Sequence, residues 1–137
     1  MARFFHDVKA RGIETAMDVA STKDEGLMQR LVIPSLPYTD YLIVNETEGG
    51  MIAGIEARSE DGGLKREALP EICRKLMALG VRKCAVVHAP EVGCALDASG
   101  NYCEEPSLRL PKGYIVGAVG AGDAFCAGIL YLSLIHI

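Results

Sequence analysis

The segment Gly120-Ala121-Gly122-Asp123 has the composition of a site that binds an anion and moves a proton. Small residues let the backbone approach a ligand closely, and amide groups at the start of a helix attract negative charge. A carboxylate beside such a site repels phosphate, so Asp123 needs a purpose there. Acting as a general base that takes a proton from a hydroxyl group would provide one. The alternative is that Asp123 only caps the helix that follows.

Two familiar glycine loops fit this segment poorly. A Walker A loop needs Gly-Lys-Ser/Thr where the chain has Gly122-Asp123-Ala124. A dinucleotide-binding fingerprint needs a third glycine where Phe125 stands. These departures disfavour a dinucleotide-binding oxidoreductase.

A second polar pair, Asn45 and Glu48, follows a predicted apolar strand. Residues three positions apart at the start of a helix face the same side. An amide and a carboxylate placed there can hold a hydrated Mg²⁺ through water, because Mg²⁺ retains several of its water molecules. The same spacing is typical of a capping-box variant, and the two interpretations are compatible.

Short apolar strands alternate with amphipathic helices, which predicts an α/β fold with a mostly parallel sheet flanked by helices. The predicted strands cover residues 14–20, 40–45, 81–89 and 114–116, and residues 94–96 and 102–103 form a predicted hairpin. The predicted helices cover residues 2–11, 24–31, 45–53 and 69–79, and another begins at Ala124. Pro34 and Pro37 are expected to end the second of these helices.

The composition excludes several classes of protein. The chain has 137 residues, of which 50% are hydrophobic and 23% charged, so it is not disordered. Its net charge of -4 disfavours nucleic acid as a partner. No stretch reaches the roughly 18 apolar residues that span a membrane. The five cysteines form no C-x-x-C pair and no secretory signal is visible, which favours the cytoplasm.

With both motifs in this order, the chain resembles the ribokinase-like (PfkB) carbohydrate kinases, whose N-x-x-E and G-A-G-D motifs match residues 45–48 and 120–123. Residues 15–19, 40–54 and 80–87 are similar to other segments of that family. The resemblance covers most of residues 2–131. It implies a ribokinase-like fold and ATP-dependent phosphorylation of a hydroxyl group on a sugar or a nucleoside.

The resemblance also implies roles for single residues. Asp123 matches the catalytic base that deprotonates the acceptor hydroxyl. The family's anion hole, which stabilises the transferred phosphoryl group, is matched by the backbone amides of Gly120, Ala121 and Gly122. Glu48, together with Asn45, matches the motif that organises Mg²⁺ and phosphate. The implied cofactors are therefore ATP and Mg²⁺.

The nucleotide-binding segment departs from the family pattern. Gly93 lies where the family has a glycine, and His88 begins the same segment. His88 has two interpretations, a contact to phosphate or a partly buried polar residue at a strand end. Pro90 stands where a glycine is common, which removes an N–H donor and stiffens the loop. Residues 117–119 replace the family's usual Asp-Thr run and so remove a polar side chain.

Family members are considerably longer than this chain. We therefore expect residues 1–131 to be part of a kinase domain that is cut at both ends and inactive by itself. Residues 132–137 match the translation of a sequencing adapter, CTG TCT CTT ATA CAC ATC, and are predicted to be a non-native read-through tail, so His136 receives no role. The resemblance leaves open both the sugar or nucleoside and the oligomeric state of the whole protein, for which a homodimer is one option. The main alternative is a degenerate, non-catalytic module that binds a nucleotide or a sugar.

Overall fold

A five-stranded sheet positions the segments described above. The structure, a computed structural model, describes residues 1–20 and 25–135. The strands lie side by side in chain order: β1 (Ala16–Asp18), β2 (Tyr41–Asn45), β3 (Cys84–Ala89), β4 (Val92–Asp97) and β5 (Tyr102–Pro106). Strands β1, β2 and β3 are parallel, and β4 and β5 join them as antiparallel neighbours. The predicted α/β class and the predicted hairpin are confirmed. The last two strands are antiparallel because their short connections leave no room for a crossover helix.

Helices connect the parallel strands. The α-helices are α1 (Ala2–Lys9), α2 (Glu25–Leu27), α3 (Glu46–Ala53), α4 (Leu69–Ala78) and α5 (Ala121–Ile135). A π-helical turn at Met28–Val32 and a 3₁₀ helix at Ile33–Tyr38 follow α2, and a 3₁₀ turn at Arg66–Ala68 precedes α4. The helix predicted to end at the prolines is observed as α2 and the π-helical turn, which together end at Val32, just before Pro34. The chain continues through both prolines as a 3₁₀ helix, in which Pro34 lies in the first turn and its missing N–H is not needed.

One face of the sheet packs against α3 and α4 and forms the core. Alternate residues of β2 and β3 point into it, as the period of two in a strand requires. The buried core residues of the strands and of these two helices include Leu42, Val44, Ala85, Val87, Val92, Cys94, Leu96, Ile52, Leu69, Ile72 and Leu76. This packing fixes where β2 and β3 end, and therefore where the polar residues after them lie.

The strands predicted at residues 14–20 and 114–116 differ most from the observed structure. β1 is limited to three residues, since only residues 16–18 pair with β2. The strand predicted at residues 114–116 is wrong, because no strand forms there and Tyr114, Ile115 and Val116 are 69%, 67% and 97% exposed. An apolar run becomes a strand only when a neighbour satisfies its backbone hydrogen bonds.

The chain divides into two compact units, Met1–Pro106 and Ser107–Ile137. The first contains the sheet and helices α1 to α4, and the second contains α5. The boundary predicted after Tyr131 falls inside α5. Residues 136 and 137, and with them His136, lie outside the described residues, so the origin of residues 132–137 stays a prediction. Within the described part of the chain, no helix combines the length and the apolar character that crossing a bilayer requires.

Candidate active site

Asn45 ends β2 and begins α3 with a reciprocal capping box. The Asn45 Oδ1 accepts a hydrogen bond from the Glu48 N–H at 2.8 Å, and the Glu48 Oε2 accepts one from the Asn45 N–H at 3.0 Å. At the other end of α3, Gly54 adopts the left-handed conformation with φ 69°, which glycine accepts without strain. Glu48 is only 4% exposed. The capping interpretation is therefore confirmed, and it holds a buried carboxylate at the carboxyl end of β2.

Three of the predicted site residues lie in one row across the sheet. Asn45 on β2 is paired in register with His88 on β3, and His88 is paired with Gly93 on β4. Asn45 is distant in sequence from His88 and Gly93, which are joined by a short turn, so the pairing of β2 with β3 brings the three residues together. The row lies at the carboxyl end of β2, and open α/β sheets bind their ligands beyond the carboxyl ends of parallel strands.

His88 is half-buried in this row. Burial lowers the pKa of His88 below its usual value of 6.5, while the negative charges of Glu48, Glu46 and Asp18 act in the opposite direction. The net lowering favours a neutral imidazole at pH 7. A neutral ring can accept one hydrogen bond and donate one, so it is suited to polar contacts rather than to a fixed positive charge.

The predicted nucleotide loop is a tight turn. β3 ends at Ala89 and β4 begins at Val92, so only Pro90 and Glu91 connect the two strands. Gly93 consequently belongs to β4 rather than to a loop, directly opposite His88. Pro90 suits such a turn because its backbone angle φ is already restricted.

Arg58 joins this turn to the first turn of α3. Its Nε donates to the Glu46 Oε1 at 2.6 Å, and its two terminal nitrogens donate to the two Glu91 carboxylate oxygens at 3.0 Å each. A further hydrogen bond reaches the Gly62 carbonyl at 2.8 Å. Hydrogen bonds to Glu91 and Glu46 raise the pKa of Arg58, so the guanidinium stays charged.

The Gly-Ala-Gly-Asp segment lies in the second compact unit, at the start of α5. Gly120 has φ 78°, and the chain enters the helix at Ala121. The Ala121 N–H donates to the Ala118 carbonyl at 3.1 Å, so this amide of the predicted anion hole is engaged within the turn. The amides of Gly122 and Asp123 lie in the first helical turn, where no intrahelical acceptor is available. Asp123 itself is exposed.

The residues present fit a magnesium ion that is held mainly through water. In residues 1–20 and 25–135, no three His, Cys, Asp or Glu side chains lie close enough together to hold a metal ion. Asn45 and Glu48 supply one amide and one carboxylate, both engaged in the capping box. This donor set fits an ion that keeps most of its own water, as Mg²⁺ does.

Sequence reasoning missed Arg58 and Glu46. Glu46 lies inside the N-x-x-E motif, so its position was a usable signal. Arg58 carried no local signal, since its partners Glu46 and Glu91 are 12 and 33 residues away along the chain. Only the folded structure brings those three side chains together.

The family model described as "pfkB family carbohydrate kinase" matches residues 6–134. Adenosine kinase 1 from Arabidopsis thaliana is 29% identical over 155 aligned positions, which cover 99% of this chain and 42% of that protein. The chain therefore spans about two fifths of the length of this relative.

Solved structures show the same fold. The adenosine kinase of Anopheles gambiae in complex with P1,P4-di(adenosine-5) tetraphosphate superposes with a TM-score of 0.75 at 24% identity, over 99% of this chain and 40% of that one. The 2-dehydro-3-deoxygluconokinase of Thermotoga maritima gives a TM-score of 0.71 at 23% identity, over 97% and 42%. The predicted ribokinase-like fold is thereby confirmed.

Proposed function

The chain belongs to the pfkB family of carbohydrate kinases, and on that premise we propose that the whole protein transfers the γ-phosphoryl group of ATP to a hydroxyl group of a sugar or a nucleoside. The observation that carries the proposal is the row of Asn45, His88 and Gly93 at the carboxyl end of β2, with the buried Glu48 one turn further on. The family match favours this reaction over the dinucleotide-binding oxidoreductase considered above.

In the proposed reaction Asp123 accepts the proton of the acceptor hydroxyl. The resulting oxygen nucleophile attacks the γ-phosphorus, the bond from that phosphorus to the β–γ bridging oxygen breaks, and ADP leaves. The amides at the start of α5 would stabilise charge on the transferred group, with the help of the helix dipole. The exposure of Asp123 is compatible with this role, because a base must reach the substrate.

Asn45 and Glu48 are proposed to hold Mg²⁺ through water. The bound ion would neutralise charge on the phosphates as the phosphoryl group is transferred. Glu48 suits this role because its capping hydrogen bond fixes the orientation of its carboxylate. The contribution of this chain is therefore a rigid carboxylate and amide at a fixed position.

His88 and Gly93 are proposed to border the nucleotide. Gly93 has no side chain, so a phosphate or a base can approach the backbone of β4 closely. His88, opposite it in the sheet, offers ring nitrogens for a polar contact. The tight turn at Pro90 and Glu91 limits how far this border can move.

The replacement of Asp123 by Asn tests the proposal. We expect phosphorylation by the full-length protein, measured with ATP, Mg²⁺ and a panel of sugars and nucleosides, to fall by about 10²–10⁴-fold, because the amide cannot accept the proton. Asp61→Asn, a substitution in a polar surface loop, is the matched control and should retain activity. Activity retained in Asp123→Asn would refute this residue as the base.

The 137-residue chain alone is expected to show no measurable kinase activity. Clear turnover by the purified chain would contradict this expectation. The alternative function, a non-catalytic binding module, draws on the run Gly117-Ala118-Val119, which lacks the polar side chain that the family usually has there. Nucleotide binding by the full-length protein without turnover on any acceptor would favour that alternative.

A further inference from the structure

Arg58 makes contacts to three separate segments of the first compact unit. The guanidinium bonds to Glu46 in the first turn of α3, to both carboxylate oxygens of Glu91 in the β3–β4 turn, and to the Gly62 carbonyl in the loop after β2 and α3. One planar group thus links the N-x-x-E segment to the segment that carries His88 and Gly93.

An isolated surface ion pair is commonly worth very little, because both side chains lose freedom and water screens the charges. The Arg58 contacts differ in two respects. The Arg58 and Glu46 side chains are only 26% and 9% exposed. The contact with Glu91 is bidentate, which adds geometric definition to the charge attraction.

We propose that Arg58 is a positioning residue that clamps the β3–β4 turn onto the start of α3. The clamp would hold in place His88 and Gly93, the two residues proposed to border the nucleotide. This inference rests on the proposed function for its catalytic consequence. The clamp itself is a property of the fold and can be tested without any nucleotide.

The clamp also adjusts the charge beside the magnesium and phosphate position. Glu46 and Glu48 are both buried, at 7% and 4% exposure, on the first turn of one helix. Two unneutralised carboxylates there would repel the phosphates of a nucleotide. By pairing with Glu46, Arg58 leaves Glu48 as the carboxylate available to the hydrated ion.

Hydrogen exchange of the full-length protein, measured by mass spectrometry without nucleotide, tests the clamp. In Arg58→Met we expect amides of residues 88–94 to exchange about fivefold faster, because local opening is no longer opposed by the bidentate contact. Amides of α4 serve as an internal reference and should exchange as in the unmodified chain. Unchanged exchange over residues 88–94 in a folded Arg58→Met variant would overturn the proposal.

The matched control is Arg66→Met, which removes an arginine that pairs with Glu104 and is 55% exposed. It should leave exchange over residues 88–94 unchanged, and an equal increase would show that the effect is not specific to Arg58. If Arg58→Met does not fold, Arg58→Lys and Glu91→Gln replace it. Lysine keeps the charge but lacks the planar fork, so an intermediate increase is expected, and no increase in either variant would refute the clamp.

A double variant checks that the contact acts as one unit. Because Arg58→Met and Glu91→Gln remove the same link, their combination should exchange no faster than Arg58→Met alone. Additive increases would mean that Arg58 and Glu91 act independently, which contradicts the clamp.

Kinetics of the full-length protein distinguish positioning from general stability. In Arg58→Met we expect the KM for ATP to rise about tenfold, with kcat and the KM for the acceptor within about twofold. A fall of about tenfold in kcat with an unchanged KM for ATP would refute the positioning role. A full-length protein without kinase activity would refute the proposed function, whereas the exchange result would still decide whether Arg58 is a clamp.

Discussion

The two ends of strand β2 each carry a buried acid, and the two acids have different surroundings. Asp40, just before β2, is 1% exposed, and Glu48, one helical turn after it, is 4% exposed. The Asp40 carboxylate accepts hydrogen bonds from the Lys9 ammonium at 3.0 and 2.8 Å and from the Thr15 N–H at 2.8 Å. The Glu48 carboxylate accepts a hydrogen bond from the Asn45 N–H, and Glu46 lies on the same first turn of α3.

The difference separates a structural acid from a candidate functional one. A buried carboxylate paired with a cation ties elements together, and here Asp40 joins α1 to the start of the sheet. A buried carboxylate that is fixed by a backbone amide is suited to face a cation from solution, which is the role proposed for Glu48. Burial alone therefore does not distinguish the two acids, whereas their hydrogen-bond partners do.

The largest expected effect on stability comes from replacing Asp40, at the amino-terminal end of β2. Asp40→Ala should lower the free energy of unfolding by about 3 kcal/mol, because it leaves Lys9 and the Thr15 N–H without their buried acceptor. Urea unfolding followed by circular dichroism measures this loss. Asp7→Ala, at an exposed position of α1, is the control and should change stability by less than about 0.5 kcal/mol. Similar losses of unfolding free energy in Asp40→Ala and Asp7→Ala would contradict the structural role assigned to Asp40.

Glu48→Gln should affect the activity of the protein more than its stability, in contrast to Asp40→Ala. The amide oxygen of glutamine still accepts the Asn45 N–H hydrogen bond, so we expect a loss of at most about 1 kcal/mol in the free energy of unfolding. The lost charge should raise the Mg²⁺ concentration that the full-length protein needs for half-maximal activity by about 10–100-fold. A loss of stability as large as that of Asp40→Ala would instead make Glu48 a structural residue.

Lowering the pH should remove the stabilisation that the Asp40 carboxylate gives at the amino-terminal end of β2. Burial alone would raise the pKa of Asp40, but the hydrogen bonds from Lys9 and Thr15 lower it below its usual value of 3.8. Because the pKa in the folded state is lowered, the stabilisation is fully present above pH 3.8 and is lost as the pH falls through the lower folded value.

A comparison of the unmodified chain with Asp40→Asn separates the contribution of the Asp40 carboxylate to stability from the contributions of the other acidic residues. The difference in unfolding free energy between the unmodified chain and Asp40→Asn should be constant above about pH 5 and shrink as the pH falls below about 3.8. Urea midpoints recorded between pH 7 and pH 2 measure it. A difference that stays constant down to the lowest pH would show that the Asp40 charge does not stabilise the fold.

Much of the fold followed from local patterns, and the errors have physical reasons. Strand β2, helix α3 and the capping box between them were predicted correctly, because each depends on residues within a few positions. The strand predicted at residues 114–116 failed because an apolar run needs a pairing neighbour. The helix expected to end before Pro34 ends at Val32, and a 3₁₀ helix follows because its first turn tolerates proline.

The candidate site was only partly predictable. Asn45, Glu48, His88 and Gly93 were identified from the sequence, but the arrangement of Asn45, His88 and Gly93 in a single row was not, since strand register depends on long-range pairing. Gly93 was expected at a loop and lies within β4. The roles of Asp123 and of the amides of residues 120–122 stay predictions.

The sequence by itself determined the motifs and their local conformations, because a capping box or a glycine at a helix start involves only neighbouring residues. The tertiary structure decided which buried acid received a cation. Lys9 and Asp40 are 31 residues apart, and Arg58 and the buried Glu46 are 12 residues apart, so each pairing depends on how the chain folds. Electrostatic surroundings depend on distances in space, and those distances exist only once the strands have paired.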